Sequence, residues 1–351
     1  MKLGIIVRNN NKGLGIQSWE ACRHLKPDRV MVIELPEDKD GDINRFTECE
    51  FLRVKGIPNA QEIDKFISGL NTVFMCETPY SYQLLARCRD LGIKTVLQPN
   101  YEFYAWRTRP SMIKPDILTI PSLWHQGDYN HAKDYNHSSQ VYLPVPITTE
   151  HWEPLSLDIG RPSRILHTGN VPAANDRNGT GIVLECLQYI KSDIELTITT
   201  KAFDAMEQVI RQYKVPRNVI LKIDGRVYEN YWDAYNGYDL MVLPRRYGGL
   251  SLPVNESLGA GMPVIMSDIE PNNLWLPREW LVEAVKEGEF QAHKETPGIT
   301  YYKTDPKALA AKIDEMCQNS ALYHDSLLTA RRLREMYSWS ALLPLYNKVL
   351  R

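Results

Sequence analysis

Short apolar runs alternate with amphipathic segments along the first half of the chain. The apolar runs are rich in Val, Ile and Leu and are bounded by turn residues, which is typical of buried strands. The segments between them have the apolar spacing of helices. The predicted strands are LGIIV (3–7), RVMVIEL (29–35), TVFMC (72–76), KTVLQ (94–98) and DILTIP (116–121), and the predicted helices are residues 16–25, 60–70 and 82–91.

The second half of the chain repeats this alternation. Its predicted strands are RILHTG (164–169), IELTIT (194–199), NVILKI (218–223), DLMVLP (239–244) and PVIMSD (263–268), with helices at residues 179–190, 203–213 and 229–235. Strands that alternate with helices indicate an α/β fold of two doubly wound, Rossmann-like parallel-sheet domains in tandem. The proline-rich segment 143–163 is the predicted linker, and it divides the chain into domains 1–150 and 151–336. A hinge at this linker predicts two domains that face a cleft, where ligands would bind.

Length and composition agree with two soluble domains. The chain has 351 residues, of which 43% are hydrophobic and 24% charged, and a single core rarely holds so many residues. The net charge of −2 gives no overall field that would attract nucleic acid or an anionic membrane. We expect neither a signal peptide nor a transmembrane segment. Six scattered cysteines without a CxxC pair predict reduced thiols in a cytoplasmic protein.

The stretch RRYGGLSLPVNESLGAGMPVI (245–265) directly follows the predicted strand DLMVLP. Pro253 is predicted to open a helix, and Gly261 is predicted to end it with a left-handed cap. The N-terminus of such a helix has unpaired N–H groups and a partial positive charge. Because Gly248 and Gly249 let the backbone approach a ligand closely, we expect an anion such as a diphosphate there.

Charged side chains surround this predicted anion site. Arg245 and Arg246 would add full positive charges beside the helix N-terminus. Glu256 is predicted in the first turn of the helix, where its carboxylate can accept hydrogen bonds from a diol such as a ribose. Taken alone, Glu256 fits equally well an acid that stabilises the dipole of its own helix.

These residues resemble the donor-binding motif of retaining glycosyltransferases with the GT-B fold, in particular glycosyltransferase family 4. In that motif a strand ends in Pro, a Glu and a Gly-rich loop follow, a second Glu comes after seven intervening residues, and a small-residue helix ends in Gly-x-Pro-Val. Glu256 matches the second Glu, and Gly248 stands where the family has the first one, near the transferred sugar. Three further segments are similar to the family's phosphate-contacting turn, its base-receiving segment and its last helix, which returns to the first domain: RILHTGNVPAANDRNGTG (164–181), DGRVYENYWDAYNGYDLMVLP (224–244) and residues 337–351.

The resemblance implies an enzyme that transfers a sugar from a nucleotide diphosphate donor to an acceptor hydroxyl, with retention of anomeric configuration. The second domain would bind the donor, with Glu256 on the ribose. The backbone at Gly225, Arg226 and Val227 would contact the base, and Arg177, Arg245 and Arg246 with Gly249, Leu250 and Ser251 would contact the diphosphate and the sugar. KGLGIQSWE (12–20) resembles the glycine loop of the acceptor domain, so Gly13 and Gly15 would approach the diphosphate.

Aromatic and polar residues follow two predicted strands of the first domain. They lie in ETPYSY (77–82) and QPNYEFYAWRTRP (98–110), and the candidates for acceptor binding are Tyr80, Asn100, Tyr101 and Trp106. Aromatic faces suit sugar rings and bases alike, while burial in the core is the alternative explanation for these rings. No residue is assigned as the catalytic base, since a departing phosphate oxygen could accept the proton.

We expect no metal ion and no cofactor, and the nucleotide sugar would be a substrate. The acidic run EDKDGDINRFTECE (37–50) has its glycine at the wrong place for a calcium loop and is predicted to be a solvated loop. His125, His131 and His137 lack the spacing and the partners of a zinc site. A helix dipole and basic side chains can neutralise a leaving diphosphate without a metal ion.

Three other functions remain open from the sequence. One is a GT-B protein that binds a nucleotide sugar without catalysis, since Gly248 stands where the family has its first Glu. Another is a dinucleotide-dependent oxidoreductase, although no strand leads into a complete G-x-G-x-x-G. The third keeps the enzyme and changes the acceptor: NNNKGLGIQSWEACRHLKPDR (9–29) faintly resembles glycosyltransferases of tailed bacteriophages, whose acceptor could be a hydroxymethylated DNA base or a virion protein. The net charge weighs against DNA.

Overall fold

The computed structural model describes residues 1–38, 40–100, 113–125, 139–172, 176–291 and 298–351. The chain divides into two compact units. The first contains Met1–Pro146 and the terminal segment Trp339–Arg351, and the second contains Ile147–Phe290 and Gly298–Ser338.

The first unit is built on a seven-stranded sheet. Its strands are β1 (Leu3–Arg8), β2 (Arg29–Glu34), β3 (Glu50–Lys55), β4 (Thr72–Glu77), β5 (Lys94–Pro99), β6 (Ile117–Ile120) and β7 (Ser139–Tyr142), and their order in the sheet is β3-β2-β1-β4-β5-β6-β7. Neighbouring strands pair in parallel. Helices α1 (Gly13–Leu25), α2 (Ala60–Ile67) and α3 (Tyr82–Asp90) connect the strands. The sequence thus forms the predicted doubly wound parallel sheet.

The second unit also contains a seven-stranded sheet. Its strands are β8 (Arg164–Thr168), β9 (Ile194–Thr199), β10 (Val219–Asp224), β11 (Leu240–Leu243), β12 (Val264–Asp268), β13 (Leu281–Gln291) and β14 (Gly298–Thr304), in the order β10-β9-β8-β11-β12-β13-β14. Its helices are α4 (Thr180–Cys186), α5 (Phe203–Ile210), α6 (Leu252–Gly259), α7 (Pro306–Gln318) and α8 (Ser320–Met336). Strands β8 to β13 pair in parallel. The last helix of the chain, α9 (Trp339–Leu350), belongs to the first unit.

Each unit has its own apolar core. In the first unit, Trp339 and Tyr346 of α9 join the buried side chains of β1, β2 and β4. The hydroxyl of Tyr346 donates to the backbone oxygen of Pro144 at 3.0 Å, and Gln98 donates to that hydroxyl at 3.1 Å. The terminal helix is therefore fixed to the first sheet by packing and by buried hydrogen bonds. Among the described residues, no helix combines the length and the apolar character needed to cross a membrane.

Both sheets have a topological switch point. In the first sheet, β1 lies between β2 on one side and β4 on the other, so the strand order reverses between β1 and β4. In the second sheet, β8 lies between β9 and β11, and the order reverses between β8 and β11. Open α/β sheets bind ligands beyond the carboxyl ends of the strands at this point, because the adjacent loops diverge and leave a crevice. The loops after β8 and β11 are therefore the first place to look for a site in the second unit.

All ten strands predicted from the sequence are present, and four strands were missed. The missed strands are β3, β7, β13 and β14. They lie towards the edges of the sheets, and most of their residues are exposed or half-buried, so they lack a continuous apolar run. Residues 229–235 were predicted as a helix, but only a short 3-10 helix, Tyr231–Tyr235, forms there.

Candidate functional site

The loop after β11 leads into helix α6 as the sequence predicts. Helix α6 begins at Leu252 with Pro253 as its second residue, a position where the missing N–H of proline is not needed. Gly261 follows the helix with φ +72°, which confirms the predicted left-handed cap. Gly248 in the loop has φ +117°, a conformation that other residues rarely adopt.

Two guanidinium groups pack against Gly248. A methyl group placed on its α-carbon would lie 2.5 Å from Nη2 of Arg177 and 2.6 Å from Nη2 of Arg245. Arg245 is buried and donates from Nε to the backbone oxygen of Tyr247 at 2.9 Å. The guanidinium of Arg177 also lies over the ring of Tyr247, 5.5 Å from its centroid. Two like charges held this close attract an anion, which would relieve their repulsion.

The loops after β8 and β11 are joined at the switch point. A methyl group on Gly179 would lie 2.2 Å from the backbone oxygen of Pro244, so the two backbones are in contact there. The backbone N–H of Arg246 donates to the backbone oxygen of Arg177 at 2.9 Å. Asp176 accepts hydrogen bonds from the N–H groups of Thr180 and Gly181 at 3.0 and 2.7 Å, and so holds its loop to the start of α4. These contacts bring Arg177 to the loop that carries Arg245.

A buried histidine lies beneath the crevice. Nδ1 of His167 is 2.8 Å from the backbone oxygen of Val242, and Nε2 is 3.0 Å from Oγ1 of Thr180. A carbonyl oxygen only accepts, so Nδ1 carries the proton and Nε2 accepts from the threonine hydroxyl. Burial lowers the pKa of His167, although the hydrogen bond to Val242 opposes this shift. His167 is a neutral group that links β8, β11 and α4.

Around the loops after β8 and β11, two buried hydroxyl groups face no hydrogen-bond partner among the described residues. They are Oγ1 of Thr168, the last residue of β8, and Oγ of Ser251, the residue before α6. Ser251 stands at the N-cap, yet its side chain makes no capping hydrogen bond. Buried polar atoms are normally satisfied. These two hydroxyls therefore suit a ligand with acceptor oxygens, such as a phosphate or a sugar.

Glu256 lies in the second turn of α6, which corrects the predicted first turn, because the helix already begins at Leu252. The carboxylate is half-buried, and the buried hydroxyl of Tyr235 donates a short hydrogen bond to its Oε2. Burial and then the charge of Glu256 raise the pKa of Tyr235 well above its ordinary value. Tyr235 thus remains a hydrogen-bond donor at neutral pH and fixes the carboxylate of Glu256. An acid that only stabilised the dipole of its own helix would need no such partner.

The predicted base-contacting residues follow β10. Arg226 and Tyr228 both bond to Asp224, with Nη2 of Arg226 2.6 Å from Oδ2. The hydrogen bonds from Arg226 lower the pKa of Asp224 to about 2, against the effect of burial. A cavity of about 610 Å³ reaches this turn, and Phe203, Gly225 and Arg226 help to line it. The side chain of Val227 is 92% exposed, which is unusual for valine.

The side chain of Arg246 bonds to strands β13 and β14. Its Nη2 pairs with Glu287 of β13, and its Nε donates to the backbone oxygen of Tyr302 of β14 at 3.1 Å. The other predicted residues of the loop, Gly249 and Leu250, are half-buried beside Ser251. The structure thus brings Arg177 and Arg245 together at Gly248, three residues before Ser251 in the same loop.

In the first unit, the predicted glycine loop is the first turn of a helix. Helix α1 begins at Gly13, so both Gly13 and Gly15 are helical, whereas the sequence indicated a helix from residue 16. A methyl group on Gly15 would lie 2.0 Å from the backbone oxygen of Asn10. Gly15 is therefore required for close packing against the turn after β1.

Tyr80 and Asn100 follow β4 and β5. Asn100 donates to Oε1 of Glu77 at 2.8 Å. Glu77 and Tyr80 have φ values of +65° and +55°, which are strained for residues other than glycine. The hydroxyl oxygen of Tyr80 is buried without a hydrogen-bond partner among the described residues. Tyr101 and Trp106, the other predicted acceptor-binding residues, lie outside the described residues, as do His131 and His137.

Most described residues of the acidic segment after β2 are exposed or half-buried, as the predicted solvated loop requires, but Asp38 departs from that prediction. Asp38 is fully buried at its side chain and pairs with Arg8 at 2.7 Å. Burial would raise the pKa of Asp38, but hydrogen bonds from Arg8 and Asn10 outweigh this effect and hold the pKa below its ordinary value. A structural ion pair at the end of β1 therefore explains part of this acidic run.

Several residues of the crevice escaped the sequence reasoning. They are Thr168, Asp176, Tyr235 and Glu287. The position of Thr168 at the end of a predicted strand and of Asp176 shortly before a predicted helix could have indicated the first two. No local pattern marks Tyr235 or Glu287, whose partners are far away in the sequence.

The two doubly wound sheets define the GT-B fold, which solved structures of glycosyltransferases share. Sucrose-phosphate synthase from Thermosynechococcus elongatus is 13% identical, with a TM-score of 0.66 over 99% of this chain and 98% of that chain. Alr3699/HepE of Anabaena in complex with UDP is 11% identical, with a TM-score of 0.67 over 99% of each chain. The lipopolysaccharide outer core galactosyltransferase WaaB is 13% identical, with a TM-score of 0.60 over 99% of this chain and 98% of that chain. At such identities the likeness shows the fold alone.

Residues 162–319, most of which lie in the second unit, match the family described as Glycosyl transferases group 1. The match supports glycosyl transfer as the class of activity, and it includes the loops after β8, β10 and β11. No curated protein sequence matches the chain.

Proposed function

We propose that the protein transfers a sugar from a nucleoside diphosphate donor to an acceptor hydroxyl. The observation that carries this proposal is the convergence of the Arg177 and Arg245 guanidinium groups on Gly248, next to the N-terminus of α6. Arginine pairs well with phosphate oxygens, and a helix N-terminus adds N–H donors and a favourable dipole. Both lie at the switch point of the second unit, where this fold type binds its ligands.

In the proposed donor site, each part of the nucleotide has its own set of residues in the second unit. The diphosphate would lie between Arg177, Arg245 and Ser251, and the ribose diol would donate to Glu256. The base would reach the turn at Gly225, Arg226 and Val227, beyond the end of β10. Strand β10 is three strand spacings from β11, or about 14 Å, which a nucleoside diphosphate can span. Alr3699/HepE, which shares the fold, was crystallised with UDP and with UDP-glucose.

The charges of this site would act on the leaving group. As the bond between the sugar and the diphosphate breaks, negative charge grows on the phosphate oxygen, and preorganised guanidinium and N–H groups stabilise it. In this proposal no metal ion is needed, so activity should survive chelation of divalent cations by EDTA. The first unit would hold the acceptor, with Tyr80, Asn100, Tyr101 and Trp106 as its contacts. Retention of anomeric configuration is part of the proposal, and NMR of the product would test it.

Thermal denaturation with a panel of UDP-, GDP-, ADP- and CMP-sugars tests donor binding. A ligand at 100 times its dissociation constant adds about 2.7 kcal/mol to the stability of the native protein, so one member of the panel should raise the melting temperature clearly. The Glu256→Ala variant should lose this shift, because the ribose loses its acceptor. A full shift in Glu256→Ala would refute the role of Glu256, and no shift in the wild type with any donor would refute the function.

A protein that binds a nucleotide sugar without transferring it is the second candidate, because Gly248 stands where the resembling family has a Glu. Release of nucleoside diphosphate from the donor, measured with a panel of acceptors, separates the two. The panel should include simple sugars, a protein and DNA with hydroxymethylated bases. Release with any of these acceptors excludes a protein that only binds the nucleotide sugar. The acceptor that gives release also identifies the class of acceptor that the enzyme uses.

A further inference from the structure

Strands β13 and β14 extend the second sheet next to β12, and one end of this extension reaches the loop after β11. Most residues of β13 are exposed or half-buried. The side chain of Arg246 is nevertheless only 12% exposed, against 39% for its partner Glu287. A largely buried guanidinium in contact with an exposed strand suggests a specific connection between the two elements.

Arg246 makes this connection through both its backbone and its side chain. Its backbone oxygen accepts from the N–H of Tyr302 at 2.9 Å, and its Nε donates to the backbone oxygen of the same residue at 3.1 Å. Its Nη2 pairs with Glu287, and its guanidinium lies 4.8 Å from the ring centroid of Tyr301. Four separate interactions therefore fix one residue of the loop to β13 and β14.

The contacts continue from the extension to Arg177. The ring of Phe290 in β13 meets the ring of Tyr247 at 4.8 Å in an edge-to-face arrangement. The guanidinium of Arg177 lies over the ring of Tyr247, and the backbone oxygen of Tyr247 accepts from Arg245. The backbone oxygen of Arg177 accepts from the N–H of Arg246. Both arginines at Gly248 are thus supported by residues that the extension holds.

We propose that Arg246 and Glu287 are positioning residues, which hold the loop after β11 so that Arg177 and Arg245 meet a diphosphate in a fixed geometry. This inference rests on the proposed function, because it assigns a task to the site described there. Arg246 itself does not contact the donor. Its ion pair with Glu287 fixes the loop, and the two arginines at Gly248 bind the ligand.

Isothermal titration of the full-length protein with UDP, the nucleoside diphosphate bound by Alr3699/HepE, tests this inference. Glu287→Gln keeps the size of the side chain and removes its charge. Arg246→Lys keeps the charge and removes the planar guanidinium group with its several N–H donors. Both variants should bind UDP about tenfold more weakly, as expected when one charge-assisted hydrogen bond in a preorganised site is lost.

Glu289→Gln is the matched control. Glu289 also lies in β13, but the partners of its carboxylate are Lys286 at 2.5 Å and Thr300 at 3.5 Å rather than Arg246. This control should bind UDP as the wild type does. A second readout is the donor KM, which should rise in Glu287→Gln with kcat within a factor of about two; a purely structural defect would lower the active fraction instead and leave the KM unchanged.

Two outcomes would overturn the proposal, and they can be told apart. Equal affinity for UDP in the wild type and Glu287→Gln would refute the positioning role while the proposed function stands. Absence of UDP binding in the wild type, together with absence of binding of GDP, ADP and CDP, would remove the proposed function and this inference together. Glu287→Gln should keep the melting temperature of the ligand-free protein, and if it does not, Arg246→Lys gives the same comparison.

Discussion

Two glycines of the second unit share a positive φ but differ in the space around their α-carbons. Gly179 has φ +72°, and a methyl group there would meet the backbone oxygen of Pro244 at 2.2 Å. Gly237 has φ +88°, and a methyl group there would find no atom of the described residues within 4 Å. Conformational strain is thus common to both positions, whereas the steric conflict concerns Gly179 alone.

Gly237→Ala should lower the free energy of unfolding by about 1 to 2 kcal/mol, the cost of a left-handed conformation for a residue with a β-carbon. Gly179→Ala should lower it by more, because Pro244 must also move. Pro244 immediately precedes Arg245, so Gly179→Ala should also weaken UDP binding, while Gly237→Ala should not. Urea denaturation and calorimetric titration measure the two effects. Equal losses of stability in the two variants would contradict the steric argument.

Tyr235→Phe should weaken donor binding through Glu256. The variant removes the hydroxyl that donates to the carboxylate, which should lower stability by about 1 to 3 kcal/mol and leave the carboxylate free to turn from the ribose. Tyr323→Phe is the control, since the buried hydroxyl of Tyr323 donates to the backbone oxygen of Asp239 at 2.9 Å, just before β11 begins. Both variants should be less stable, but only Tyr235→Phe should lose affinity for UDP. Equal affinities would show that Tyr235 supports the fold alone.

At the scale of elements, His167 joins two strands and a helix at the switch point. Burial lowers its pKa from the ordinary value of 6.5, so below that pH the unfolded chain takes up a proton that the folded state resists. The free energy of unfolding therefore rises with pH through this window and falls as the pH drops below about 6.5. The elements around the crevice should consequently be less stable at mildly acidic pH.

His167→Asn tests this pH dependence. The amide of Asn can still donate to the backbone oxygen of Val242, but it does not titrate. The variant should be less stable than the wild type at pH 7.5, and the difference should shrink at pH 5.5. Urea denaturation at both values gives the two differences. A constant difference between the proteins would show that His167 does not contribute to the loss of stability in acid.

At the scale of the whole molecule, two sheets of seven strands each have their own core, and the terminal helix α9 belongs to the first. The boundary between the units lies at Pro146 and Ile147, and the chain returns to the first unit at Trp339. The residues proposed for donor binding, from Arg177 to Glu256, all belong to the second unit. The contacts of the crevice described above, including the support from β13 and β14, therefore all lie within the second unit.

Sequence reasoning reached most of the fold because buried parallel strands are continuous apolar runs. Strands such as RILHT and LMVL are buried on both faces and are bounded by turn residues, so periodicity is enough to find them. Strands β3 and β13 carry charged residues along an exposed face, and their pairing depends on a neighbour that is already in place. Strands of this kind, at or next to the edge of a sheet, are fixed by tertiary contacts more than by their own sequence.

The candidate site also has features that the sequence indicates and features that depend on tertiary contacts. The sequence by itself determined where the chain has glycines for tight turns, where a helix starts at Pro253, and which arginines and acids are available to bind a ligand. These features depend on local backbone conformation and on charge. Only the tertiary structure decided that Arg177 and Arg245 meet at Gly248 while Arg246 turns to Glu287, and that Tyr235 holds Glu256. Those pairings join loops that are far apart along the chain, and strand order in a sheet, which local sequence does not encode, brings them together.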